Sequence, residues 1–306
     1  MLSSIFINDR ELKKNNVRII HCRNWDDYTR KLKKVVTVNI DNPPEEIPSK
    51  IIYRGHASNQ WNLSSQLERI FSSQRMSLSP YEISIKSNMK KNAKEYYVYT
   101  QKRLLERFKF LSSGIVGIDL NKKSEYEIWA LGRHNGLITP LLDWTESPYI
   151  AAFFAFIEQY HKFKFNLTLP ELFSNEEKVY VWGLRCYTNL EVKNEFEIIR
   201  PPRNFGSRLW AQAGLFTRLF TNEYFDLQSY LKSRGVAHYL DCFEIPIKSA
   251  AAALADLNLM NITLSKLFPD LTGAALEANI VEQHFEVSRI QTELLSKRKI
   301  VKGRKK

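Results

Sequence analysis

The sequence predicts an α+β fold, a single domain in which a small mixed or antiparallel sheet is flanked by helices. Two observations predict it. Short β-prone runs at 17–20, 51–53, 141–142, 179–184, 214–220 and 239–245 are scattered between longer segments with helical spacing of apolar residues. Neither an internal repeat nor a linker-like stretch divides the chain, so the elements belong to one unit. That unit is placed at residues 1–276, followed by a C-terminal helix and basic tail at 277–306.

Val17 to Ile20 reads as a strand leading into a helix over Trp25–Val36, where Trp25, Tyr28, Leu32 and Val35 share a face and Asn24 is the N-cap. Asn39 to Ser49, rich in Pro, Asn and Glu, is a loop. Ile51, Ile52 and Tyr53 begin a strand that ends in Arg54-Gly55-His56. Trp61, Leu63 and Leu67 follow in a loop-to-helix transition, then a serine-rich loop over 72–79 and a mostly helical stretch over 81–110. Gly114 and Gly117 break that helix, and Glu125 to His134 is helical again.

Asn135-Gly136 and Thr139-Pro140 are turn signals before a very short buried strand, Leu141-Leu142. Asp143 to Ser147 form its exit loop. Ser147 then caps a helix with Pro148 in its first turn and an apolar run from Ile150 to Ile157. Val179 to Leu184 is a strand, 200–206 a loop, Ser207 to Gln212 a short amphipathic segment and Gly214 to Phe220 β-like. Tyr239 to Ile245 is a further strand, and Ser249 to Leu259 an alanine-rich helix. Asn261 to Leu276 is a helix broken at Pro269 and Gly273, and Ala278 to Ser296 an amphipathic helix.

Bulk composition bounds the function. The chain has no run of 18 apolar residues, and its N-terminal apolar patch is too short for a signal-peptide core, so the expectation is a cytosolic protein without a membrane partner. Cys22, Cys186 and Cys242 are odd in number and without CxxC spacing, which argues against a disulfide framework or a zinc knuckle; no metal site is expected. The net charge is +12, and the last ten residues, KRKIVKGRKK, hold seven of the cations. Such a tail binds nucleic acid or another polyanion, or serves only as a solvated extension. A second basic run, Lys86 to Arg107, carries Tyr96, Tyr97 and Tyr99. Basic residues interleaved with aromatics hold single-stranded nucleic acid, and an amphipathic helix with a solvated face explains the same residues. The absence of HExxH, P-loop, GxGxxG and GxSxG motifs removes the metalloprotease, Walker-type, dinucleotide-fold and hydrolase classes.

The chemistry-bearing stretch is Leu131 to Phe156, which sets His134, Asp143, Trp144, Thr145 and Glu146 against an apolar helix. Four pieces of the chain, in order, resemble the FRG domain family, named for its Phe/Tyr-Arg-Gly signature. They are Tyr53-Arg54-Gly55 with Trp61-Asn62-Leu63; His134-Asn135-Gly136-Leu137 leading to Leu141-Leu142-Asp143-Trp144-Thr145; Ala211-Gln212-Ala213-Gly214-Leu215-Phe216-Thr217; and Leu267-Phe268-Pro269-Asp270-Leu271-Thr272-Gly273. This chain has Arg133 where the family usually has Gln, and Leu141 where it usually has Arg, so neither position is assigned a role.

The layout is also similar to the Arg–Ser–Glu class of ADP-ribosyltransferases, with Tyr53-Arg54-Gly55 as the first strand motif and Trp144-Thr145-Glu146-Ser147-Pro148 before Ala151-Ala152-Phe153-Phe154-Ala155 as the second. That resemblance implies an ADP-ribosyltransferase-like fold and NAD as cofactor. Arg54 would clamp the pyrophosphate, Thr145 would orient the clamp and the ribose, and Asp143 and Gln212 would complete a catalytic set. Tyr53, Gly55, His134 and Trp144 would line the cofactor. The third strand offers Gln212 where that class has a catalytic Glu, and an amide does not counter a developing cation as a carboxylate does. The expected function is thus an NAD-dependent ADP-ribosyltransferase-like effector that modifies a macromolecule, in the manner of a phage or bacterial defence toxin. The alternative is a non-catalytic nucleotide or nucleic-acid binding module.

Overall fold

The computed structural model describes residues 16–36, 48–58, 61–76, 93–115, 119–162, 177–201, 206–220 and 226–279. The basic tail and the 278–296 helix expected from the sequence lie, from residue 280 on, outside the described residues, as does the loop over 39–47.

Among the described residues seven strands form one mixed sheet in the order β1-β7-β4-β2-β3-β6-β5. They are β1 (Arg18–His21), β2 (Lys50–His56), β3 (Leu141–Thr145), β4 (Lys178–Cys186), β5 (Phe196–Ile199), β6 (Gly214–Leu219) and β7 (Leu240–Pro246). Among these described strands only β1 and β7 pair in parallel, and the other pairs are antiparallel. The helices are α1 (Trp25–Val36), α2 (Gln66–Met76), α3 (Ala93–Ser112), α4 (Glu125–His134), α5 (Pro148–Lys162), α6 (Ser207–Ala211), α7 (Leu227–Ser233), α8 (Ala250–Leu259), α9 (Leu264–Leu267) and α10 (271–279). The expected α+β class is what the structure shows, with a larger sheet than the sequence runs imply.

Local chemistry accounts for the helix ends that frame the site. Ser124 and Glu127 make a reciprocal capping box at the start of α4. The helix stops where Gly136 takes φ +87°, a conformation a side chain resists. Ser147 Oγ accepts from Ile150 N at 3.3 Å, which caps α5 and leaves Pro148 harmless in its first turn.

Burial is organised on two faces. Tyr53, Val179, Val181, Phe243 and Ile245 turn to one face, where they meet the apolar side of α5 together with α1 and α8. Ile52, Leu142, Trp144, Tyr180, Trp182, Leu184 and Leu215 turn to the other, under α7. The period-two alternation along each strand generates both sets. Gly55 fixes how close α5 comes: a Cβ there would lie 1.9 Å from Ala151 O and 2.8 Å from Ala155 N. The glycine of the Tyr-Arg-Gly motif therefore lets a helix backbone sit against the strand; it makes no turn, because β2 continues to His56.

Two buried ionic groups hold the ends of the sheet. Asp241 receives Arg18 at 2.6 and 2.9 Å and Arg185 at 2.8 Å. Burial lifts its carboxyl to about 6 against the attraction of Arg18. Arg218 on β6 donates to Glu125 at 2.9 Å and Gln101 at 2.7 Å, tying α3 and α4 to the sheet. Cys22, Cys186 and Cys242 are buried free thiols.

Candidate functional site

The sheet is nearly split at its centre. β2 pairs with β4 at seven positions but with β3 at one, Tyr53 with Thr145. Beyond that pair the two strands separate, and the ladder hydrogen bonds that would join them are missing. Arg54 replaces them. Its Nη1 donates 2.7 Å to the backbone carbonyl of Asp143 and lies 3.6 Å from the carboxylate, and its Nε donates 2.9 Å to His56 Nε2.

Asp143 is held mainly from the other side. Arg133, near the C-terminal end of α4, donates from Nε to Oδ1 at 3.3 Å and from Nη2 to Oδ2 at 2.8 Å, the two-point fit that a planar guanidinium gives a carboxylate. Its remaining Nη1 donates to Gln66 Oε1 at 3.1 Å, which brings the start of α2 to the site. The three side chains are accessible from solvent: Arg54 is 18% exposed, Arg133 28% and Asp143 40%.

The electrostatics follow from this crowding. Burial alone raises the Asp143 carboxyl, but Arg133 and then Arg54 outweigh it and hold it below the usual carboxylate range. Arg54 is lowered, by burial first; Asp143 and Glu158 oppose the shift, while Arg69 and Arg133 add to it. His56 is pushed down to about 3 by burial and then by Arg54 and Arg69, against a backbone hydrogen bond at Trp61. Its ring is therefore neutral, with Nε2 as the acceptor for Arg54 and the proton on Nδ1. Three arginines thus act on one gap, with two carboxylates to balance them.

A second contact lies two residues further along β3. Thr145 Oγ1 donates to Gln212 O at 2.7 Å and accepts from Ser147 N at 3.1 Å. Glu146 N donates to Ala213 O at 3.0 Å, and Ala213 sits at φ 45°, rare for a residue with a Cβ. The Gln212 side chain points on: Nε2 donates to Leu267 O at 3.1 Å. Arg208 donates to Asp270 at 2.5 Å and lies over the Phe268 ring at 5.2 Å. The four sequence pieces are therefore continuous in space, from Arg54 through Asp143 and Thr145 to Gln212 and the Leu267–Gly273 segment.

The structure brings Arg54 to Asp143 and Thr145 to Gln212, and separates the remaining expected residues from them. Trp144 faces the opposite side of β3, buried, with Nε1 donating 2.9 Å to Thr217 Oγ1, so it is core and offers no ring to a ligand. Tyr53 is packed beneath α5 in the core. Gly55 accommodates α5, as described, rather than a cofactor. His134 is exposed at the end of α4, and the partner of Asp143 is its neighbour Arg133. The sequence alone assigns no role to His56, Gln66, Arg69 or Arg133. Arg133 had a signal: it falls one turn before the Asn-Gly stop, on the element that precedes the Asp143 strand.

Among the described residues no group of three or more His, Cys, Asp or Glu side chains is placed to hold a metal ion, and no helix is long and apolar enough to cross a membrane.

The arrangement defines an α+β domain with an arginine-lined gap in its central sheet. Residues 49–164 match the family model of the FRG domain. No curated protein and no solved structure matches the chain. The match runs from β2 to the end of α5 and so includes Arg54, His56, Gln66, Arg69, Arg133, Asp143 and Thr145; Gln212 and Leu267 lie beyond it. The match supports the FRG resemblance, and the likeness to ADP-ribosyltransferases draws no support from the comparisons.

Proposed function

We propose that the chain binds a phosphate-bearing ligand of the nucleotide class at the gap between β2 and β3, with Arg54 and Arg133 as the anion-holding side chains and Asp143 as the group that aims them. The observation that carries this reading is the convergence of two guanidinium groups from distant elements on one part-exposed carboxylate, with Arg69 adding to the positive field. Grouping like charges works against folding, and clusters of this kind are arranged where an anion is to be received. Binding without turnover fits the geometry better than transfer. Asp143 is engaged by Arg133, and the Gln212 amide donates to a backbone carbonyl, so neither is set to counter a positive sugar.

A second reading, NAD-dependent ADP-ribosyl transfer to a macromolecule by a defence effector, is favoured by one arrangement. Arg54 stands on β2, Thr145 on β3 and Gln212 just before β6, and these three strands are adjacent in the sheet. Calorimetric titration with pyrophosphate, ADP-ribose and NAD tests the first reading, and chromatography for free nicotinamide tests the second. Binding should weaken about tenfold or more in Arg54→Lys, which loses the fork, at unchanged fold by circular dichroism. Nicotinamide release that disappears in Arg54→Lys replaces binding with transfer. Failure of all three ligands to bind refutes both.

A further inference from the structure

The exposed face of α3 is a separate feature, remote in kind from the arginine gap. One side of this helix is buried: Tyr97, Gln101 and Leu105 follow a four-residue spacing into the core, and Ser112 falls two turns further on. The opposite side carries Tyr99, Lys102, Arg103, Arg107 and Phe110, with Glu106 as the one acid between Tyr99 and Phe110. Tyr99, Arg103 and Phe110 fall within about 40° of one another around the helix axis. Among the described residues none of Lys102, Arg103 and Arg107 forms an ion pair. Arg103 lies over the Tyr99 ring at 5.6 Å.

A solvated helix face explains the charges but not the rings. Phe110 is 77% exposed and Tyr99 53%, and Leu111 and Ile115, next to this end of the helix, are exposed as well. We infer that this face is a contact surface for single-stranded nucleic acid, with Tyr99 and Phe110 stacking bases and Lys102, Arg103 and Arg107 meeting the phosphates between them. The two rings are about 16 Å apart along the helix, so more than one nucleotide spans them. Charge and chemistry select this occupant. Cations alternating with aromatics are what a strand with a charged backbone and flat bases requires. A membrane-surface helix instead segregates one broad apolar face, and here the broad apolar face is already buried in the protein.

The test is fluorescence anisotropy of the full chain with a labelled oligothymidylate of about 15 nucleotides, alongside vesicles of anionic lipid. Phe110→Ala should weaken oligonucleotide binding about tenfold at fixed charge, and Phe110→Tyr, which keeps the ring, should retain it. Arg103→Glu with Arg107→Glu should weaken binding and flatten its dependence on salt. A variant with Lys302→Gln, Arg304→Gln, Lys305→Gln and Lys306→Gln separates the tail: it should still respond to Phe110→Ala. Arg103, Arg107 and Phe110 are exposed, so the melting temperatures of variants at these positions should match the wild type. The inference is overturned by absence of oligonucleotide binding, by indifference to Phe110→Ala, by loss only in the tail variant, or by an effect of Phe110→Ala confined to vesicles.

Discussion

Arg133 and Asp143 stand ten positions apart and meet through two parallel hydrogen bonds, two residues from Thr145, the last position at which the central strands pair. A helix end and a strand are thereby joined across the turn that links them, and Arg54 closes the same carboxylate from the opposite strand.

Asp143→Asn removes the charge that both arginines share. The pair is partly solvated, so the cost to stability should be about 1 kcal/mol or less, read from urea unfolding. The sign with pH is set by the lowered carboxyl: its contribution is complete above the ordinary carboxylate range and is lost as pH falls through its folded value. Wild type should therefore lose more stability than Asp143→Asn on titration to low pH.

Gly55→Ala should be far more damaging than its size implies. The new methyl would overlap two backbone atoms of α5, which cannot rotate away as a side chain can. A loss of about 3 kcal/mol or more is expected, with a lower melting temperature and no change at the arginine pair beyond what the shifted helix imposes.

Gln212→Glu distinguishes a structural amide from a vacant catalytic position. The amide donates to Leu267 O, and a carboxylate there would face that carbonyl oxygen to oxygen. The substitution should cost about 1–3 kcal/mol and increase hydrogen exchange across 264–279, without creating nicotinamide release from NAD. A stable variant that releases nicotinamide would restore the transferase reading.

Glu68 supplies a pH signature of its own. It is buried, accepts from Ser65 N at 2.6 Å in the cap of α2, and burial raises its carboxyl to about 8. The folded state therefore holds a proton that the unfolded state releases above about 4.5. Stability should be greatest below that value, fall as pH rises toward 8, and level off beyond it. Glu68→Gln should flatten this slope in denaturant titrations at several pH values.

Much of the fold was legible because local patterns are strong where one face is buried. The α1 and α4 segments, the Ser147–Pro148 start of α5 and the core of β4 coincide with apolar spacing and capping residues. β5 and α7 were missed. Phe196–Ile199 is short and begins beside Glu191, whose side chain accepts from Ile198 N, so its pairing depends on β6 more than on its own sequence. The end of β3 was also underestimated: the strand runs past Leu141-Leu142 through Asp143–Thr145, because neighbouring strands supply partners for polar positions, whereas β2 ends at His56 as the sequence implied.

By itself the sequence determined the class of fold, the helix boundaries set by caps and glycine, and the choice of Arg54, Asp143, Thr145 and Gln212 as residues that belong together. Tertiary structure alone decided their roles. It turned Trp144 and Tyr53 inward, set Gly55 against a helix, replaced His134 with Arg133 as the partner of Asp143, and buried His56 behind Arg54. The physical reason is that spacing along the chain fixes which face a residue takes within its element. The separation of β2 from β3, which lets charged side chains meet, arises only from how whole elements pack.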